Sequence, residues 1–258
     1  MTQHNDENIL DSDWKTLYRI GGIAALVAGV LFRRNLAAEI GLFTGGEAPL
    51  NVGDWFTLLE SQPLLGLTYL NLFDVVNYVL VGLMFLALYA ALRPAKRGYV
   101  TLATTLGLLG IGVYLATNTA MSMLSLSEQY AAATSEALRS TLLGAGQALL
   151  ALNRFTGPGS QPGSAGYVSL LLVAIAGMVF SLVMLRSRLF GRATAYVGMV
   201  ASGLDLAYCV AFAALPMVDS EILALLFIPA AGLALMAWHI LVGWKLLRLE
   251  RHKAPEPA

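Results

Sequence analysis

Between Pro63 and Arg93 the chain reads PLLGLTYLNLFDVVNYVLVGLMFLALYAALR, with one charged side chain, Asp74, before the closing arginine. At about 1.5 Å of rise per residue, a helix of this length exceeds the ~30 Å hydrocarbon core of a bilayer. The segment therefore reads as a membrane span. Its first half nevertheless carries Asn71, Asp74, Asn77 and Tyr78. Asn71, Asp74 and Tyr78 recur at helical spacing and share one face. A carboxylate turned toward lipid costs roughly 2.5 kcal/mol or more. That face is expected to look into a bundle, a cavity or a partner, and the rest of the chain has to supply that surrounding.

The remainder has matching composition. Of 258 residues, 57% are hydrophobic and 12% charged, with a mean hydropathy of +0.69. Soluble domains carry about 25% charged residues. The expected class is all-α, a polytopic membrane helical bundle with the lipid bilayer as its surrounding. The formal net charge is zero, which gives nucleic-acid binding no electrostatic footing. The lone cysteine, Cys209, excludes an internal disulfide. Of the histidines His4, His239 and His252, two lie in polar tails. No metal and no cofactor is expected from these residues. The start of the sequence, MTQHNDENILDSDW, is acidic and polar rather than basic and apolar, so the first span is expected to stay in the protein. No repeat at a fixed period is visible.

Taken in order, residues 1–13 form a polar tail, 14–248 the bundle and 249–258 a second tail. Trp14 and Tyr18 suit a membrane interface. The first apolar run, Ile20 to Phe32, is followed by Arg33 and Arg34 and then by LAAEIGLF. Either the helix ends with these arginines snorkelling to the surface, or it continues to Phe43 and they pair with acids inside. Residues 45–62 read as a loop with a short interfacial helix capped by Asp54. The second span is expected to run unbroken from Pro63 to Leu92, and the third from about Tyr99 to Met123. In the third, Gly107, Gly110, Tyr114 and Thr117 share a face that invites close helix approach. Further spans follow at Tyr167–Leu185, Ala193–Leu215 and Ile222–Trp244. The second of these aligns Gly198, Ser202, Asp205 and Cys209, and the last contains Pro229 and His239.

Basic residues cluster at Arg93, Lys96 and Arg97, at Arg186, Arg188 and Arg192, and at Lys245, Arg248, Arg251 and Lys253. Such clusters mark the cytoplasmic side. All lie on one side only if residues 126–165 do not cross, as an outer or re-entrant amphipathic segment. Six spans are favoured, with both termini cytoplasmic in the cell's inner membrane. Seven spans, with Thr141–Phe155 crossing, is the alternative. In the six-span layout Arg33 or Arg34, Asn71, Asp74, Asn77, Asn118 and Asp205 would surround an outward-facing polar pocket, roofed by residues 126–155. His239 would lie toward the inner face.

LSEQYAAA at 125–132, the leucine- and alanine-rich stretch 141–153 and MLRSRLFGRATAYVGM at 184–199 form a pattern. With YRIGGIAALVAGVLF near the start and DVVNYVLVGLMFLALYAALR in the second span, it resembles the bacterial membrane family known as domain of unknown function 4386, from about Tyr18 to Trp244. Gly191 stands where that family often has proline. The resemblance implies a multi-span inner-membrane protein and assigns no catalytic residue.

Asp74 reads either as half of a buried ion pair with Arg33 or Arg34, or as a ligand or proton site. Asp205, mid-span, is open between the same roles. His239 reads as a core histidine bonded to a carbonyl, and Asn118 as an interhelical hydrogen bonder. Neither HExxH nor GxSxG occurs. The expected function is binding or moving a small amphipathic or lipid-like molecule. A structural or accessory subunit of a membrane-protein complex is the alternative. Lipid-modifying chemistry by Asp74, Asp205 or His239 ranks last, because no nucleophile–base pair is visible.

Overall fold

The structure, a computed structural model, describes residues 14–31, 49–152, 164–187, 189–214 and 220–251. Among them the regular structure is entirely helical. The helices are α1 (Trp14–Leu31), α2 (Val52–Ser61), α3 (Pro63–Tyr69), α4 (Leu72–Thr117), α5 (Ala120–Ala132), α6 (Glu136–Leu152), α7 (Ser164–Ser187), α8 (Arg192–Ala214) and α9 (Ser220–Arg251). Arg188 and Lys253 of the basic clusters, the tail 1–13 and most of the tail 249–258 lie outside the described residues.

Among the described residues, five stretches are long and apolar enough to cross a membrane. The longest, Leu72–Ala132, contains α4, which is bent double. Pro94 lies inside it, and Lys96 has non-helical angles, φ −155° and ψ 72°. Proline removes one helical hydrogen bond and crowds the preceding turn. The two arms then run antiparallel. Tyr78 stacks on Tyr114 with ring centroids 4.0 Å apart, and these residues are equally far from Lys96 along the chain. Phe85 meets Gly107, also equidistant from Lys96, where a Cβ would fall 2.5 Å from the Phe85 ring.

The other helices extend this alternation. In α7 and α8, the Tyr167 hydroxyl donates to the Cys209 carbonyl at 3.3 Å, and Gly198 sits against Ser181. Tyr208 of α8 faces Phe227 of α9 at 6.4 Å. Gly22 of α1 lies against Leu247 of α9, and Arg93 covers the Trp14 ring at 3.9 Å. Lipid is as apolar as leucine, so close packing and interhelical hydrogen bonds hold such helices together. The core accordingly interlocks Met84, Phe85, Phe180, Met184, Trp238 and Leu246. The Ser169 hydroxyl crosses to the Gly110 carbonyl at 2.8 Å. Ile23, Val30, Val79, Leu109, Val200 and Leu233 remain exposed. On a membrane protein these side chains form the lipid-facing exterior.

These pairings put Arg93, Arg186, Arg192, Lys245 and Arg248 at one end of the bundle. The opposite end carries a separate cluster, in which Val52, Trp55, Phe56 and Leu59 of α2 pack with Leu67, Leu70, Ala120 and Met123. Phe56 lies 5.2 Å from Tyr130 of α5, and α6 closes on α2 where Gly146 meets Val52 and Phe56. The cap of α2 differs from expectation. Asn51, not Asp54, is the N-cap, and its Oδ1 accepts from the Asp54 backbone N–H at 2.9 Å. Asparagine at that position satisfies an orphan helix donor, while the Asp54 side chain accepts in turn from Asn51 Nδ2.

The segment Pro63–Arg93 is not one helix. It breaks at Leu70–Asn71, where Asn71 takes the left-handed conformation, φ 60° and ψ 36°. Asparagine tolerates that region better than most residues. The span therefore starts at Leu72. The third span likewise ends at Thr117 rather than Met123, and α5 is a new helix.

Candidate functional site

A cavity of about 140 Å³ lies between α4, α7, α8 and α9, in the half of the bundle remote from the basic end. A cavity of ~150 Å³ with apolar walls accommodates benzene, so there is room for a small molecule or a short segment of a longer one.

Helical spacing builds each wall. From α4 come Asp74, Asn77, Tyr78, Val81 and Phe85, recurring every third or fourth residue. The opposite side is α9, with Phe227, Ala231, Leu235, Trp238 and His239. Between them α7 supplies Leu170, Val173, Ala174 and Gly177, and α8 supplies Ser202, Asp205 and Tyr208. Most of the lining is apolar, and the polar groups enter from α4 and α8 with His239 across from them.

Asn71 sits at the mouth of α4. Its backbone N–H donates to the Thr68 carbonyl at 3.0 Å, and its carbonyl accepts from the Asp74 N–H at 3.1 Å. The Tyr114 hydroxyl reaches the same carbonyl at 3.5 Å. Asp74 lies in the first turn of α4, where the helix dipole favours a carboxylate. Asp74 and Tyr78 of α4 and Asp205 of α8 line the same cavity, which brings two acids from different helices into one locality.

Asn77 is 1% exposed, and its Oδ1 has no hydrogen-bond partner among the described residues. Buried polar atoms are usually paired, so this acceptor at a cavity wall marks a place for a donor. Asp205, also on the wall, makes no hydrogen bond or ion pair with the described residues. His239 is 2% exposed. Its Nδ1 lies 2.6 Å from the Leu235 carbonyl; a carbonyl only accepts, so Nδ1 donates. Its ring meets Trp238 edge-on at 5.5 Å.

Of the residues singled out from sequence, the structure gathers Asn71, Asp74, Asn77, Asp205 and His239 around one cavity. His239 is both bonded to a carbonyl and part of the lining. Asn118 is elsewhere: its Oδ1 accepts from the Ala120 N–H at 3.1 Å, starting α5. It lies in the turn after α4, which points it at the next helix instead of the bundle interior. Arg33 and Arg34 lie outside the described residues, as do the alternatives for where α1 ends. Residues 126–152 contribute no described side chain to the lining, because α5 and α6 pack on α2 instead.

Sequence reasoning passed over Tyr208 and the α7 wall. Tyr208 lies three residues after Asp205, so the helical face through Asp205 could have found it. The α7 face is wholly apolar and resembles any lipid-facing stripe. Among the described residues, no three His, Cys, Asp or Glu side chains converge as metal ligands.

A family model described as a domain of unknown function, DUF4386, matches residues 16–244. No curated protein and no solved structure matches the chain. A match from the first span through the last covers all four cavity walls, and the chain, an integral membrane protein by its apolar helices, belongs to the DUF4386 family.

Proposed function

We propose that this protein binds, and moves, a small amphipathic molecule in the cavity between α4, α7, α8 and α9. The observation that carries the proposal is the placement of Asn77 and Asp205 on walls that are mostly apolar. Intramembrane carboxyls away from lipid are commonly part of substrate or ion pathways, and concave apolar sites with a few convergent polar groups are the usual form of ligand sites. We further place the basic end in the cytoplasm of the inner membrane and the cavity end outside, because Arg and Lys concentrate on cytoplasmic loops.

An accessory subunit would meet its partner through the small-residue face of the third span. Gly107 meets Phe85 and Ala176, and Gly110 meets Leu172 and the Ser169 carbonyl. Those glycines serve packing within the chain, which favours the binding reading over a partner surface built on them.

Filling the cavity tests the function. Ala174 is 2% exposed and lines the wall. Native mass spectrometry of protein extracted from its membrane should show a small bound molecule, absent in Ala174→Phe. A wild-type protein free of adducts, or an adduct unchanged by Ala174→Phe, counts against the proposal. Orientation is tested by labelling Gly98→Cys, at a site with nothing within 4 Å of its Cβ. The native Cys209 is buried and should stay silent. The introduced thiol should react only after the membrane is permeabilised; labelling of intact cells would reverse the orientation.

A further inference from the structure

Among the described residues the cavity offers hydrogen-bonding oxygens and aromatic faces, and no Lys or Arg. The described lining contains Asp74 and Asp205, the amide of Asn77, several hydroxyls and the His239 ring. Two oxygen acceptors have no counterpart among the described residues: the Asn77 Oδ1 atom, in a side chain 1% exposed, and the Asp205 carboxyl; the buried Trp238 indole N–H is the one donor of the lining likewise without a partner there. Both acceptors are suited to an N–H donor. The walls beside them present Tyr78, Tyr208, Phe227 and Trp238, and aromatic faces attract cations, most strongly when water is excluded. An anionic head group would face carboxyl and amide oxygens, and a purely apolar guest would leave Asn77 Oδ1 unsatisfied.

We infer that the ligand is a small organic cation of the alkylammonium class. Its ammonium group faces Asp205 and Asn77, and its apolar chain lies along the α7 and α9 walls. The cavity of 140 Å³ limits the part of the guest it encloses. Against the ~150 Å³ that takes benzene, a chain of about six carbons is the scale. This inference rests on the reading of the cavity as a binding site, and the test separates the two.

The probes share one tail and differ in head charge: hexylammonium, hexanol and hexanoate, near neutral pH. Each is titrated calorimetrically into the full chain in nanodiscs of uncharged lipid, with empty nanodiscs subtracted. Hexylammonium should bind roughly tenfold more tightly than hexanol, with hexanoate weakest. In Asp205→Asn that preference should largely vanish through loss of hexylammonium affinity, and Asp205→Glu should restore it. Equal binding of hexanol and hexylammonium, or tighter hexanoate, overturns the cation assignment and leaves the binding site standing. Absence of binding by all three overturns both. Where an Asp205 variant fails to fold, the head-group series on the unaltered protein decides alone.

Discussion

Near the basic end, α1, α4 and α9 meet through residues too small to hold them apart. A Cβ on Gly243 would fall 2.8 Å from the Gly22 carbonyl, and one on Gly21 would collide with the Ala87 side chain. Toward the other end, the helices separate around a cavity edged by Asn77, Tyr78 and Asp205, and a second apolar cluster forms from α2, α3, α5 and α6. In a bilayer, separation exposes nothing to water, so the cost of a gap is mainly lost van der Waals contact. One end holds the bundle together. That leaves the other free to keep polar groups whose partners are incomplete.

The largest effect should come from violating the tight end. Gly243→Leu drives a side chain into backbone, where relief requires α1 and α9 to move apart. Overpacking of this kind costs about 3 kcal/mol or more when the obstacle is main chain. Cys209 is the single cysteine and is fully buried, so a thiol-reactive fluorophore reports unfolding. Its labelling transition should fall well below that of the unaltered protein. Gly98→Leu is the control: nothing lies within 4 Å of a Cβ there, and the expected change is within ~0.5 kcal/mol. Similar transitions for both variants would remove the distinction between the ends.

The junction between bundle and outer cluster comes next. Asn71 holds φ 60°, and a β-branched residue is poorly suited to that conformation. Asn71→Val should cost about 1–2 kcal/mol in the same assay, with Asn71→Gly within a few tenths. If valine and glycine behave alike, the left-handed turn does not exist in solution.

This turn also shows what could be read beforehand. The pairing of Asn71, Asp74 and Tyr78 on one side followed from spacing, because a helical face is a local property. The break that places Asn71 outside the helix did not follow, since an apolar run from Pro63 onward carries no glycine at Asn71 and no proline after it. The folding of α4 on Lys96 was legible in Arg93, Pro94 and Lys96, a basic turn with a helix breaker. Asp205 and His239 could be suspected singly as polar residues inside spans. Asp205 was placed in one pocket with Asn77 from their depth in the membrane, whereas His239 was placed toward the inner face; that it joins them depends on the lateral order of helices, which hydropathy does not encode. Asn118 was misplaced for the same reason: level in the membrane was inferred, whereas direction around the helix was not.

Asn77→Leu separates the two ends by the sign of its effect. A polar residue at the tight end would be kept for structure, and replacing it would destabilise the protein. Asn77 lies on the cavity wall with Oδ1 lacking a partner among the described residues. Leucine of similar bulk removes that unsatisfied atom, and eliminating such a group is neutral or stabilising by up to ~1 kcal/mol. The Cys209 labelling transition should therefore stay level or rise, while hexylammonium affinity drops several-fold through loss of an acceptor. A variant that unfolds more easily and binds as before would assign Asn77 to the scaffold. Improved stability with impaired binding is the signature of a residue held at a cost for its ligand, as expected where function opposes stability.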